Sequence, residues 1–265
     1  MRKKDYGDIV RHYEGYNEDA RFETRWCWIE FATTLRYIHR YLHVGDSVLE
    51  IGAGTGRYSL TLAEEGYDVT AVELVEHNLG ILRSKITERM HITAIQGDAL
   101  DLPALGAESY DMTLLFGPLY HMFSAKDKCR AISEALRVTK PGGIVMAAYC
   151  ITDGPMINYT FRLKRYHQLV EQRSLDNQNF IFRPEKGGFL FEHIRKAEVD
   201  HLMRDFNVQR LHYVATDGLP GFLLNELDDM DEETFAAVMR YHWMVCESET
   251  LADATAHSLD IFRKR

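Results

Sequence analysis

The stretch VLEIGAGTGRY, Val48 to Tyr58, decides how the chain is read. A short apolar run with one acid, Glu50, leads into glycines at alternate positions, Gly52, Gly54 and Gly56. A strand that runs through a glycine-rich turn into a helix start is a ligand platform. Glycine lets the backbone approach a ligand closely, and the first helical turn offers free N–H donors. The triphosphate-binding version of this turn needs Gly-x-x-x-x-Gly-Lys-Ser/Thr, and nothing here supplies that lysine. The dinucleotide version needs Gly-x-Gly-x-x-Gly. Here the third glycine arrives one residue early and Arg57 follows it.

Around this turn the pattern alternates. SVLEI is a short strand, RYSLTLAEEG a helix closed by Gly66, and YDVTAVE a second strand. Val75, Leu79, Leu82 and Ile86 mark the next helix; HITAIQ and YDMTLLF are strands three and four. A helix around Cys129, Ile132 and Leu136 stops before Pro141-Gly142-Gly143, and GIVMAAYC is a fifth strand. Such alternation implies parallel strands with right-handed crossovers. Residues 17–42 read as one long helix with two apolar faces, Phe22, Trp26, Ile29 and Thr33 on one and Trp28, Phe31, Leu35, Ile38 and Leu42 on the other. Residues 151–194 break the rhythm with Pro155, Pro184 and Gly187-Gly188, and read as an insertion with a helix near 156–173. A helix near 195–205 and a strand near 207–215 resume the core, 219–249 is mainly helical, and AHSLDIFRK is a last strand.

The acids fall in an ordered set. Glu73 ends the second strand, where a carboxylate accepts hydrogen bonds from ribose hydroxyls. Asp98, in QGDALDLP, follows the third strand and is placed to accept from an adenine amino group. Leu74 and Ala99 offer apolar contacts to the ring faces, and Glu50 is placed to hold an ammonium.

VLEIGAGTGRY, VTAVEL, IQGDALDLP, YDMTLLFGPLYHM and ALRVTKPGGIVMAAY together resemble the class I S-adenosylmethionine-dependent methyltransferases, over about residues 44–150. The resemblance implies a Rossmann-like α/β fold: a seven-stranded, mostly parallel sheet with helices on both faces and an antiparallel last strand near 257–263. It implies S-adenosylmethionine as cofactor, bound by Glu50, Gly52, Ala53, Gly54, Gly56, Glu73, Leu74, Asp98, Ala99 and Phe116. The expected layout is a single domain over 1–265. A helical N-terminal lid covers 1–43, the cofactor core 44–150, and insertions at 151–194 and 219–249 cover the substrate side.

Methyl transfer from a sulfonium needs alignment and exclusion of water more than a fixed triad. FGPLYHM leaves the carboxyl end of strand four, so Tyr120 and His121 are the catalytic candidates, with His121 as base. Several amino-methylating relatives of this class carry Asp/Asn-Pro-Pro-aromatic here. Gly-Pro-Leu-Tyr in its place counts against methylation of a nucleobase amine in that style. Tyr13, Tyr16, Tyr120, His121 and Tyr149 are the substrate-side candidates, and Tyr6, Tyr13, Tyr16 and Arg21 belong to a stretch expected to roof the cofactor.

The bulk numbers narrow the partners. With 31 basic and 40 acidic residues the net charge is −9, which disfavours extended nucleic-acid binding. No signal peptide or membrane span is evident, and no membrane partner is expected. Cys27, Cys129, Cys150 and Cys246 form no CxxC pair and read as reduced thiols of a cytoplasmic protein. His39 and His43 lie four apart but lack a third ligand, so no metal is expected. A small-molecule methyltransferase is the leading reading. RNA or protein methylation and a non-catalytic cofactor-binding protein are the alternatives. The oligomeric state is left open.

Overall fold

The computed structural model describes residues 6–20, 24–183 and 190–265. Arg21 and Phe22, and Pro184 with Gly187-Gly188, lie outside the described residues. The parallel strands are β1 (Ser47–Ile51), β2 (Asp68–Glu73), β3 (Ile92–Gln96), β4 (Tyr110–Leu115) and β5 (Thr139–Ile151). Two short strands, β6 (Leu175–Asp176) and β7 (Ile181–Phe182), pair apart from them. β8 (His193–Ile194), β9 (Val208–Ala215) and β10 (His257–Lys264) complete the main sheet, in the order β3-β2-β1-β4-β5-β10-β9. β10 is antiparallel to both neighbours, as expected. The eighth strand is the departure from seven: β8 pairs in parallel with Cys150 and Ile151 at the end of β5. Two residues are too few to show a period-two pattern in sequence.

Strand alternation divides the core. Leu49 and Ile51 face α5 (Ala125–Val138) and the helix Lys196–Met203, where Ile132, Ala135, Val199 and Met203 meet them. Val48, Met112, Leu114 and Met146 face the opposite layer, with Tyr37 and Ile38 of α2 (Arg25–Tyr41) and Leu62 of α3 (Arg57–Glu64). By the same alternation Glu50 falls on the α2–α3 side, where it is 2% exposed.

Two helices differ from expectation for local reasons. The helix expected over 17–42 begins at Arg25. The Asn17 carboxamide accepts from the Asp19 and Ala20 amides and turns the chain, and Thr24 then caps the Cys27 amide. These side chains compete with helix by bonding nearby backbone. Trp28, placed on an apolar face, is exposed, whereas Ile29, Phe31, Thr33 and Ile38 are buried. The helix expected near 156–173 is broken into a π-helical turn, Met156–Arg162, and a short helix, Tyr166–Glu171. Lys164 stands between them at φ 57, a left-handed residue that ends one and starts the other. The shorter α1 (Gly7–Glu14) and α4 (Glu76–Lys85) flank the glycine turn.

Candidate functional site

Strand order reverses between β1 and β4, and ligands of such sheets bind outside the carboxyl ends at that point. The glycine turn sits there. Gly52 and Ala53 donate backbone N–H to Val72 O at 2.8 and 3.0 Å. Gly52 has φ 88, and a Cβ on it would lie 2.1 Å from Phe116 O, so only glycine fits. Gly54, at φ 55, faces open space. Its amide donates to Glu73 Oε2 at 2.8 Å while Val75 N donates to Oε1 at 2.8 Å. Glu73 therefore shapes the turn as well as facing it. Burial raises its pKa, and the two amides pull it back.

Two adjoining cavities flank the turn. The first, about 100 Å³, is lined by Gly52, Gly54, Glu73, Leu74, Asp98 and Ala99, with Tyr6, Tyr13 and His121 opposite. The second, about 90 Å³, is lined by Glu50, Ala53, Arg57, Tyr58, Phe116 and Tyr149. Gly52, Gly54, Gly117 and Tyr120 border both. Two candidates lie elsewhere. Gly56 begins α3 at φ 93, and its missing Cβ makes room for Leu82 Cδ1, which a Cβ would meet at 2.2 Å. Tyr16 is exposed and stacks on His12, ring centroids 5.5 Å apart.

The donor set fits a cation without phosphate. Glu18, Glu30, Glu50 and Glu73 line these two cavities. Glu50 Oε2 accepts from the Ser59 amide at 2.9 Å and from the Ser59 hydroxyl, and among the described residues no cation pairs with it. Burial pushes its pKa up to about 8 against the pull of Ser59. A buried acid facing a cavity in this state gains from a cationic ligand. An S-adenosylmethionine ammonium and sulfonium satisfy that demand, and a pyrophosphate does not.

The N-terminal helix is tied down at the same place. Tyr6 donates its hydroxyl to Asp98 Oδ2 at 2.7 Å, while Leu100 N donates to Oδ1 at 2.9 Å. Tyr13 Oη lies 2.9 Å from His121 Nε2, and His121 Nδ1 lies 2.9 Å from Leu190 O. The carbonyl must accept, so Nδ1 carries the proton and Nε2 accepts from Tyr13. Burial pushes the His121 pKa down to about 4, and the ring is neutral at pH 7.

A third cavity, of about 520 Å³, was not foreseen. Trp26, Tyr159, Leu163, Phe182 and Phe191 give it mainly apolar walls, and His257 borders both it and the second cavity. His257 Nδ1 lies 3.1 Å from Asp217 Oδ2 and 3.5 Å from Glu30 Oε2. Burial lowers its pKa, but Glu30 and Asp217 override this and hold it well above the usual imidazole value. A signal for His257 was present in the sequence. An antiparallel last strand starts at the edge where the parallel strands end, so its first residue faces the ligand side. Glu30 and Trp26 gave no signal, because they depend on how α2 packs. His39 and His43, considered as a metal pair, instead contact Glu65 and Asp46.

Residues 48–143 match the family model described as a methyltransferase domain. With the sheet order and the glycine turn, this match over one part of the chain supports the resemblance to the class I S-adenosylmethionine-dependent methyltransferases. A demethylmenaquinone methyltransferase of Renibacterium salmoninarum is 37% identical over 137 residues, covering 50% of this chain and 54% of that protein. One of Paenarthrobacter aurescens is 34% identical over 164 residues, 60% of this chain and 59% of that protein. The chain thus spans about half the length of these curated relatives. The CcbJ methyltransferase of Streptomyces caelestis has the same fold, with TM-score 0.58 at 18% identity over 98% of this chain and 97% of that one.

Proposed function

We propose that the protein transfers a methyl group from S-adenosylmethionine to a small, mainly apolar acceptor held in the third cavity. The observation that carries this reading is the junction at His257, where a roomy apolar cavity meets the second cavity beside the glycine turn. The relatives are named for demethylmenaquinone, and an apolar ring suits walls of Trp26, Tyr159, Phe182 and Phe191.

The cofactor supplies the electrophilic methyl group. In this reading Glu73 accepts from the ribose, Asp98 from the adenine amino group, and Leu74 and Ala99 cover the ring. Glu50 holds the ammonium, and Gly52, Ala53 and Gly54 let the backbone approach. Phe116 and Tyr149 close the methionine side, and Tyr120 lies between the two cofactor cavities. Tyr13 faces the first cavity with its hydroxyl bonded to His121, so a proton leaving the acceptor has an oxygen to reach and a neutral imidazole behind it. Gly56 contributes by setting α3 against α4. We place the protein in the cytoplasm, where its free thiols stay reduced. Among the described residues no helix is long and apolar enough to cross a membrane.

The test is calorimetry with S-adenosylhomocysteine and with NAD, followed by methyl transfer from labelled S-adenosylmethionine to a panel of apolar ring compounds. Binding of the first ligand and turnover on a ring compound support the reading. Turnover only on RNA or protein moves the substrate to a macromolecule, and binding without turnover on any acceptor makes the protein a cofactor-binding module.

A further inference from the structure

The outer wall of the third cavity carries an unusual surface. Leu163 lines the cavity and is also 54% exposed. Around it Ile157, Phe161, Phe180 and Ile181 are exposed as well, and the Phe161 and Phe180 rings lie 6.2 Å apart. Single exposed apolar side chains need no explanation, but a contiguous group on one segment marks an interaction site. The same segment reverses the charge of the molecule. Residues 155–183 hold Arg162, Lys164, Arg165, Arg173 and Arg183 against Glu171 and Asp176, in a chain whose net charge is −9.

Two of these cations are neutralised locally. Arg162 pairs with Glu226 at 2.9 Å and Arg183 with Asp176 at 2.5 Å. Lys164, Arg165 and Arg173 have no acid partner among the described residues, and Arg165 stacks over the Tyr159 ring at 4.3 Å. The backbone here is also atypical. Of the five non-glycine residues with positive φ among the described residues, Lys164, Arg173 and Phe180 fall in this segment at 57°, 58° and 51°. Left-handed backbone at lysine, arginine and phenylalanine costs stability and collects where function requires it.

Exposed apolar side chains in one segment with cations that have no acid partner among the described residues are the complement of a bilayer with anionic headgroups. The hydrocarbon boundary takes the former, and the headgroups attract the latter. We propose that this face docks on an anionic lipid bilayer and that the acceptor enters the third cavity from it. The second half rests on the reading of that cavity as the acceptor site; the docking surface stands without it. Sequence composition did not reveal this partner, because the net charge of the whole chain conceals a basic segment and the segment has no amphipathic helix.

Sedimentation tests it, with vesicles of phosphatidylcholine alone and of phosphatidylcholine with phosphatidylglycerol in equal parts. The wild-type chain is expected on the mixed vesicles, with binding that falls as salt rises, and weakly or not at all on the neutral ones. Lys164→Glu with Arg165→Glu should reduce binding to mixed vesicles by at least about tenfold, given the contribution of each cation near such a surface. Phe161→Ser with Leu163→Ser should reduce it at every salt concentration. S-adenosylhomocysteine affinity, unchanged in both variants, shows that they fold and separates this test from that of the methyl-transfer reading. No binding by the wild type, or equal binding by the charge-reversed variant, overturns the proposal. A dimer in light scattering that the apolar variant converts to monomer also overturns it, making the face an interface between copies.

Discussion

The Tyr6 hydroxyl donates to Asp98 at 2.7 Å, so the acid assigned to the adenine amino group is already engaged by the N-terminal segment. On the proposed role of Asp98, the free and cofactor-bound states differ in who donates to this carboxylate. Tyr6→Phe removes the internal competitor and should tighten S-adenosylhomocysteine binding by about 1 kcal/mol, the usual net worth of one hydrogen bond. Calorimetry on the variant checks this. Weaker binding would mean that Tyr6 belongs to the bound-state roof instead.

Glu50 predicts a proton count. With its pKa pushed up to about 8, the carboxyl is mainly protonated in the free protein at pH 7. A cation bound beside it favours the ionised form, so cofactor binding should release about one proton. Titrations in buffers of different ionisation enthalpy measure that number, and a heat independent of buffer would remove Glu50 from the ligand. The same shift carries a sign for stability. A carboxyl whose folded pKa lies above its unfolded value of about 4.5 lowers stability as pH rises between the two. Glu50→Gln should raise the Tm of the free protein most at pH 8 and little near pH 4.

Gly54 and Gly56 separate two uses of glycine. Alanine at Gly54 meets only the left-handed backbone, a cost of about 1–2 kcal/mol, and intrudes on the cofactor cavities. Alanine at Gly56 also drives a methyl group into Leu82 and should cost about 2–4 kcal/mol. Denaturant melts should rank Gly56→Ala as the less stable variant, and ligand titrations should rank Gly54→Ala as the weaker binder for its stability. The reverse order in the melts would contradict the packing described here.

Asp217 and His257 set stability at opposite ends of the pH scale. Burial would raise the Asp217 pKa, but His257, Thr255 and backbone amides bring it down to about 2. Its contribution is present above an unfolded value of about 4 and is lost as pH falls through about 2. The His257 pKa is raised, so its contribution is present below about pH 6.5 and is lost as pH rises through the folded value. His257→Gln should therefore flatten the alkaline fall of Tm and also soften the acid fall, because His257 is the main group that holds the Asp217 pKa down. An unchanged alkaline slope would assign that fall to another group.

What the sequence disclosed follows the range of the forces. The parallel half was legible because each strand and helix carries its own period, and the turn at Gly52 and Gly54 demands glycine by its own backbone angles. The place of Glu73 and Asp98 on the first cavity was legible because one ends and the other follows a strand that the pattern located. Gly56 shows the limit. Its spacing suggested a ligand, whereas the nearest constraint is Leu82 on the next helix, a contact made only in three dimensions. The third cavity escaped for the same reason, since Trp26, Phe182 and His257 are far apart in sequence and meet only in the folded chain.

β10 lies between β5 and β9, yet the ribosome makes it after both. Until its residues emerge from the exit tunnel, β5 and β9 present facing edges with no strand between them, and unpaired edges invite association with other chains. Every growing chain passes through that interval. The wall that His257, Ser258 and Leu259 give the second cavity is also missing until then. The nascent protein can thus shape its glycine turn early, but its second cavity closes only when this strand has left the exit tunnel.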